Sequence, residues 1–152
     1  MPHGVIIQRV PASPEVAFKV LHDYERRLEW DTLLSEAYLC DGATSAGLGV
    51  VSICRGKSRL GRFALQTEYI TFHPGASAAV KLVNRPPFFD TFAATIRHRP
   101  ISARSSAVEY TYTFTSRPKW LRWFLNPVMS RSFTRETRRR LESLAKYLKT
   151  EM

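Results

Sequence analysis

The chain has only two cysteines, Cys40 and Cys54, in 152 residues. It has no CxxC spacing, and two thiols alone do not complete a structural zinc site. A disulfide between neighbouring strands and a pair of free thiols both remain open, and a reducing cytosol favours the free thiols. No apolar run approaches the ~20 residues of a membrane-spanning helix. Met1-Pro2-His3-Gly4 lacks a basic stretch followed by an apolar core, so no signal peptide is expected. The protein is expected to be soluble and cytoplasmic. The four histidines, His3, His22, His73 and His98, show no HExxH or paired metal spacing. Each is expected at the surface or in a turn, with no metal bound. GxSxG, Walker and GxGxxG motifs are absent, and no cofactor is expected. Repeats, low-complexity stretches and interdomain linkers are absent too.

Acidic residues are also scarce, with 13 Asp and Glu against 23 Lys and Arg, for a net charge of +10. The imbalance is concentrated near the end of the chain. Between Arg117 and Met152 there are ten basic residues and three acidic ones. Such a field attracts nucleic acid, anionic membranes or acidic partners. No nucleic-acid recognition motif accompanies it, so a solvated basic face is the simpler reading and no specific nucleic acid is expected. The length fits one domain covering residues 1–152, large enough to bury roughly 70% of its unfolded surface.

Val5 to Val10 is short and β-branched, and reads as a strand that Pro11 ends. A helix start follows, with Ser13 as N-cap, Pro14 at the first position and Glu15 in the first turn. Val16, Val20, Leu21 and Tyr24 then recur at helical spacing, and a short second turn is expected over Tyr24–Leu28, ending near Trp30-Asp31. Strands are expected near 33–41, 48–57, 62–73, 77–84, 90–99 and 104–115. The breaks fall at Asp41-Gly42, Gly56 to Gly61, His73-Pro74-Gly75, Arg85-Pro86-Pro87 and Pro100. Val108, Tyr110, Tyr112 and Phe114 share one face of the last strand. Asn126-Pro127 is expected to open a final helix of about 36 Å, at 1.5 Å per residue, after an earlier turn over Trp120–Leu125. Leu121, Phe124, Leu125, Val128, Phe133, Leu141, Leu144 and Leu148 form its apolar stripe, which needs the sheet's apolar face as cover.

This order of elements resembles the helix-grip fold of the START-like SRPBCC superfamily, in its polyketide cyclase/dehydrase-like branch. One stretch carrying the resemblance is Val10-Pro11-Ala12-Ser13-Pro14-Glu15-Val16-Ala17-Phe18, with Asp23-Tyr24-Glu25-Arg26 and Glu29-Trp30-Asp31 after it. The other is Thr134-Arg135-Glu136-Thr137-Arg138-Arg139-Arg140-Leu141-Glu142-Ser143-Leu144. The resemblance implies an α+β fold with a curved antiparallel sheet of about seven strands wrapped around the long C-terminal helix. Two short helices follow the first strand, and a cavity lies between sheet and long helix. Members bind lipids, sterols, polyketides, isoprenoid quinones or plant hormones. Some catalyse cyclisation and dehydration, and many only bind or carry. The matched motifs transfer no catalytic residue.

A pocket of roughly 300 Å³ or more is expected from that architecture. Its expected lining is Phe92, Ala94, Ile96, Tyr110, Tyr112 and Phe114 from the sheet. Phe124, Met129 and Phe133 are expected from the helix. Phe88, Phe89, Trp120 and Trp123 mix with basic residues in a way that suits a gate or a membrane-touching rim, or loops folded back on the core. Asp31, Glu68 and Asp90 are acid–base candidates if they reach the cavity. Three functions remain open: a binding or transport module for a lipid, polyketide or isoprenoid-like ligand; a polyketide cyclase or dehydratase; and a basic-helix module for anionic membrane surfaces.

Overall fold

The computed structural model describes residues 3–57 and 64–151. The chain runs through β1 (His3–Val10), α1 (Pro14–Leu21), α2 (Arg27–Trp30), β2 (Leu34–Leu39), β3 (Val51–Gly56) and β4 (Leu65–His73). It continues through β5 (Ser77–Leu82), β6 (Phe89–Ser102), β7 (Ser105–Ser116), a 3-10 turn at Lys119–Leu121 and α3 (Arg122–Glu151). The strands form one curled antiparallel sheet in the order β1-β7-β6-β5-β4-β3-β2. Its two edge strands are joined through α1 and α2. The first strand therefore pairs with the last, and the two short helices carry the chain from one edge of the sheet to the other. This is the α+β helix-grip arrangement. The expected turn at Gly56 to Gly61, and the start of the strand expected from 62, lie largely outside the described residues.

Strand alternation sets the core. Ile6 and Val10 of β1, Phe92, Ala94 and Ile96 of β6, and Val108, Tyr112 and Phe114 of β7 are buried on the face that α1 and α3 cover. Ser13 caps α1, with the Val16 N–H donating to its Oγ at 3.3 Å and Pro14 in the first turn. The buried face of α1 is centred on Ala17, Phe18 and Leu21, whereas Val16 and Val20 pack at its margin. Pro100 does not end β6, which runs on to Ser102. The β5 pairing stops at Arg97, so Pro100 sits where a missing N–H breaks no ladder on that side.

The long helix begins earlier than expected. It starts at Arg122 and holds Pro127 inside. Asn126 is not its cap; its Oδ1 instead accepts the Ser116 hydroxyl at 2.5 Å, while Arg122 Nε donates to the Ser116 carbonyl at 2.6 Å. These bonds fold the end of β7 onto the first turns of α3. The buried stripe runs through Leu125, Thr137, Leu141, Leu144 and Leu148, with Met129 and Phe133 partly buried along it. Phe124 and Val128 lie one residue off that line, so they flank the stripe and are exposed.

Tyr112 fastens α3 to the sheet. Its hydroxyl lies 2.9 Å from Ser130 Oγ and 2.7 Å from Thr134 Oγ1, and its ring covers Gly4, its register partner on β1. A Cβ at position 4 would stand 2.7 Å from Tyr112 Cε1. With its hydroxyl held by two partners, the ring is not free to withdraw. Gly4→Ala is therefore expected to lower the unfolding free energy by about 1–3 kcal/mol in urea titration. An unchanged midpoint would mean that the Tyr112 ring moves without cost.

Candidate functional site

A cavity of about 90 Å³, open on one side, lies between α3 and the sheet. Its apolar wall comes from Leu21, Trp30, Val80, Phe92, Ile96 and Phe133. It is far smaller than the pocket expected, because rings and two guanidinium groups fill much of the space. Phe133 packs 5.2 Å from Phe92 and 4.6 Å from Tyr112, ring to ring. At ~10–15 Å³ of such volume per water, the space holds about six to nine waters or one end of a small organic molecule.

Of the nine residues expected to line the space, Phe92, Ile96, Tyr110 and Phe133 are on the wall. Ala94, Tyr112 and Phe114 face the same way but are packed beneath α3 in the core. Met129 packs against that core, and Phe124 is turned to solvent. None of Phe88, Phe89, Trp120 and Trp123 borders this cavity. Phe89 turns inward and packs edge-on against Phe92 and Phe114.

The rest of the lining is polar, and the sequence reading missed most of it. Tyr69 Oη is 2.8 Å from His22 Nδ1 and 3.1 Å from Tyr24 Oη. Ser52 and Thr67 share a hydrogen bond of 3.0 Å, and Cys54 lies beside them on the wall. Both cysteines are free. The Arg27 guanidinium stacks 4.8 Å over the Trp30 ring and donates from Nε to Asp31 Oδ2 at 3.0 Å. The Asp31 side chain is fully buried, and its Oδ1 lies 3.7 Å from Arg140 Nε. Asp90 instead pairs with Arg85 and Arg122 near the start of α3.

Burial sets the protonation of this wall. His22 is pushed down to about 3 by desolvation, then by His98 and Arg27, and burial lowers His98 to about 4. Burial also raises the hydroxyls of Tyr24 and Tyr69 and the thiol of Cys54, and pushes Tyr110 up to about 12. Desolvation works against the Arg27 cation, but Cys54, Tyr24 and Asp31 beside it outweigh that and raise its pKa. The imidazoles are therefore neutral, the phenols and the Cys54 thiol keep their protons, and none of these shifted groups titrates near neutral pH, where general acid–base catalysis is most effective.

His22 and His98 are buried, contrary to the surface or turn positions expected from their spacing alone. Local signals for both were present. His22 follows Phe18 at i+4 as the C-cap of α1, and His98 continues the period-2 row Phe92, Ala94, Ile96. Arg27 and Asp31 stand at i,i+4, the spacing of a helical ion pair. Arg140 follows Phe133 and Thr137 along the buried stripe of α3, although it sits in the run Arg138-Arg139-Arg140 that reads as solvated.

Residues 6–149 match the family described as polyketide cyclase/dehydrase and lipid transport. The chain belongs to that family. No curated protein matches the chain by sequence. A START superfamily protein from Mycobacterium smegmatis superposes with a TM-score of 0.82 at 9% identity, covering 100% of both chains. The Zhui aromatase/cyclase from Streptomyces sp. R1128 gives a TM-score of 0.78 at 14% identity, over 97% of this chain and 93% of that one. The protein XoxI from Bacillus cereus gives 0.77 at 15%, over 97% and 96%. At these identities the likeness shows the fold alone. This START-like chain shares with them the α3–sheet architecture that encloses the cavity. Among its described residues, no helix is long and apolar enough to cross a membrane.

The two buried imidazoles make stability depend on pH. Below the unfolded value of 6.5 the unfolded chain takes up protons that His22 and His98 refuse until about pH 3 and 4. Stability is therefore full above pH 6.5 and falls as the solution is acidified. The slope is on the order of 1.4 kcal/mol per pH unit for each histidine. Urea midpoints at pH 7.5, 6 and 5 should fall steadily, and His98→Phe should flatten the slope by about half. A midpoint independent of pH over that range would contradict the burial of both rings.

Proposed function

We propose that this protein binds a small, largely apolar molecule of lipid, polyketide or isoprenoid type between α3 and the sheet, and carries it rather than transforms it. The observation that carries this reading is a cavity lined by apolar side chains together with hydrogen-bonding groups. Desolvation of the ligand drives entry at roughly 25 cal/mol per Å². The polar groups fix its orientation. The open side leaves room for a longer ligand to extend outward from a buried end. A polyketide cyclase or dehydratase in the same cavity is the weaker reading, because the shifted groups sit far from neutral titration. Two free thiols suit a reducing compartment, and we place the protein in the cytoplasm.

The test is binding of naphthalene, followed by isothermal calorimetry or amide chemical shifts at the wall residues. It is expected to bind, and Leu65→Trp, which fills space from the β4 wall, should weaken it about tenfold or more. Naphthalene that perturbs no wall residue, together with protein from its native cells that retains no extractable small molecule, would remove this reading.

A second surface favours contact with an anionic membrane. Trp120 and Trp123 are 75% and 78% exposed, with Phe124 at 50% beside them. Lys119 precedes these rings in the chain and Arg131 follows them along α3, both exposed. Phe88, also exposed, has a backbone φ of +72°, a conformation that bulky residues rarely adopt. The Arg117 N–H donates to its carbonyl at 2.9 Å, and the Arg117 guanidinium donates to the Arg85, Pro86 and Phe89 carbonyls. That strap holds the loop against the start of α3, with aromatics and cations at one end of the molecule. This composition suits insertion at a headgroup layer. Replacing both Trp120 and Trp123 with Ala should reduce co-sedimentation with phosphatidylserine vesicles several-fold. Equal sedimentation of wild type and variant would dismiss the membrane contact.

A further inference from the structure

Arg140 stands on the cavity wall without a hydrogen bond among the described residues. Its Nε is buried and unpartnered, and its nearest carboxylate is already in use. Asp31 Oδ2 accepts Arg27 Nε at 3.0 Å, and Oδ1 accepts the Leu33 N–H at 3.3 Å. Arg140 Nε is 3.7 Å from Oδ1, beyond hydrogen-bond reach. Two guanidinium cations thus share one buried carboxylate, leaving an excess positive charge beside the cavity. No Asp or Glu lies on the cavity wall among the described residues.

Three further wall residues carry buried polar atoms without partners: His22 at Nε2, Trp30 at Nε1 and Thr137 at Oγ1. All three are almost wholly buried, at 6%, 2% and 3% exposure. Thr137 precedes Arg140 by three residues on the same face of α3. An indole N–H and a guanidinium N–H only donate, and a threonine hydroxyl is able to. His22 Nε2 joins them as a donor in the tautomer whose Nδ1 accepts the Tyr69 hydroxyl. What satisfies Arg140, Trp30 and Thr137 together is an acceptor, and the excess charge favours an anionic one.

We propose that Arg140 anchors an oxyanion at the buried end of the ligand, with Trp30 and Thr137 as neighbouring donors. The group is a carboxylate, a phenolate or an enolate on an apolar body. This inference rests on the ligand-binding reading above and narrows it to anionic or readily ionised molecules.

Three probes of one size test it: 4-nitrobenzoate, 4-nitrophenol and the neutral 4-nitrobenzamide, titrated into the folded protein at neutral pH. At least one oxyanion should bind about tenfold more tightly than the amide. If the site takes phenolates or enolates, bound 4-nitrophenol shows a larger phenolate absorbance than the free probe at the same pH. A benzoate preference without that spectral change assigns the site to carboxylates. Arg140→Met should bring the anion-to-amide affinity ratio near one, and Arg140→Lys, which keeps the charge, should hold it above one. Equal binding of anions and amide to the wild-type protein overturns the oxyanion site whatever the variants do, as does a ratio that survives in Arg140→Met. Amide binding without anion preference sinks only this inference; failure of all three probes to bind sinks the cavity reading with it.

Discussion

The buried carboxylate of Asp31 ties together the parts of the molecule that make a site. It closes the four-residue α2 by accepting Arg27, a pairing that so short a helix needs because its own hydrogen bonds are few. It also stands against Arg140 on α3, so the link between the first and second strands is drawn to the last helix. Tyr147 reinforces the same junction by donating to Glu29 at 3.1 Å. A carboxylate with no exposure is tolerated only with cations and donors around it, and loss of one partner from such a pair typically costs about 3–5 kcal/mol. That constraint keeps Arg27 and Arg140 beside the cavity.

The lining follows from what each element supplies. On the β6–β7 side, alternating apolar residues meet the stripe of α3 and close up around Tyr112 and Phe114. On the α2–β3–β4 side, the chain brings hydroxyls, a thiol and Arg27 against the same space, and α3 adds Arg140. The apolar side is densely packed, as protein interiors are, so the cavity survives where polar groups and the curl of the sheet prevent close filling. A site of this kind recognises the end of a molecule more readily than it engulfs the whole of one.

Most of the fold was legible because its signals are local. Ser13-Pro14-Glu15 announces α1, the row Val108, Tyr110, Tyr112 and Phe114 announces β7, and the helical spacing from Leu125 to Leu148 announces α3. The errors arose where distant contacts overrode a local rule. Pro127 reads as a helix start, but the Ser116–Asn126 and Arg122–Ser116 bonds from β7 set the first turns of α3 before it. Pro100 reads as a strand end, yet the early stop of β5 leaves an edge that tolerates proline. His22 and His98 lack metal spacing and read as surface or turn residues, although each continues an apolar row.

The candidate site was legible only in part. The sequence by itself determined which residues share a face, because helix and strand periods are fixed by backbone geometry. It therefore placed Phe92, Ile96, Tyr110 and Phe133 toward the space under α3, and it determined the basic excess of the last quarter of the chain. Only the tertiary structure decided how much of that space remains empty and which charges stand around it. Those outcomes depend on side chains far apart in sequence meeting at ångström separations: Asp31 with Arg140, His22 with Tyr69. Residual volume and charge balance are properties of the packed whole, and no local period encodes them.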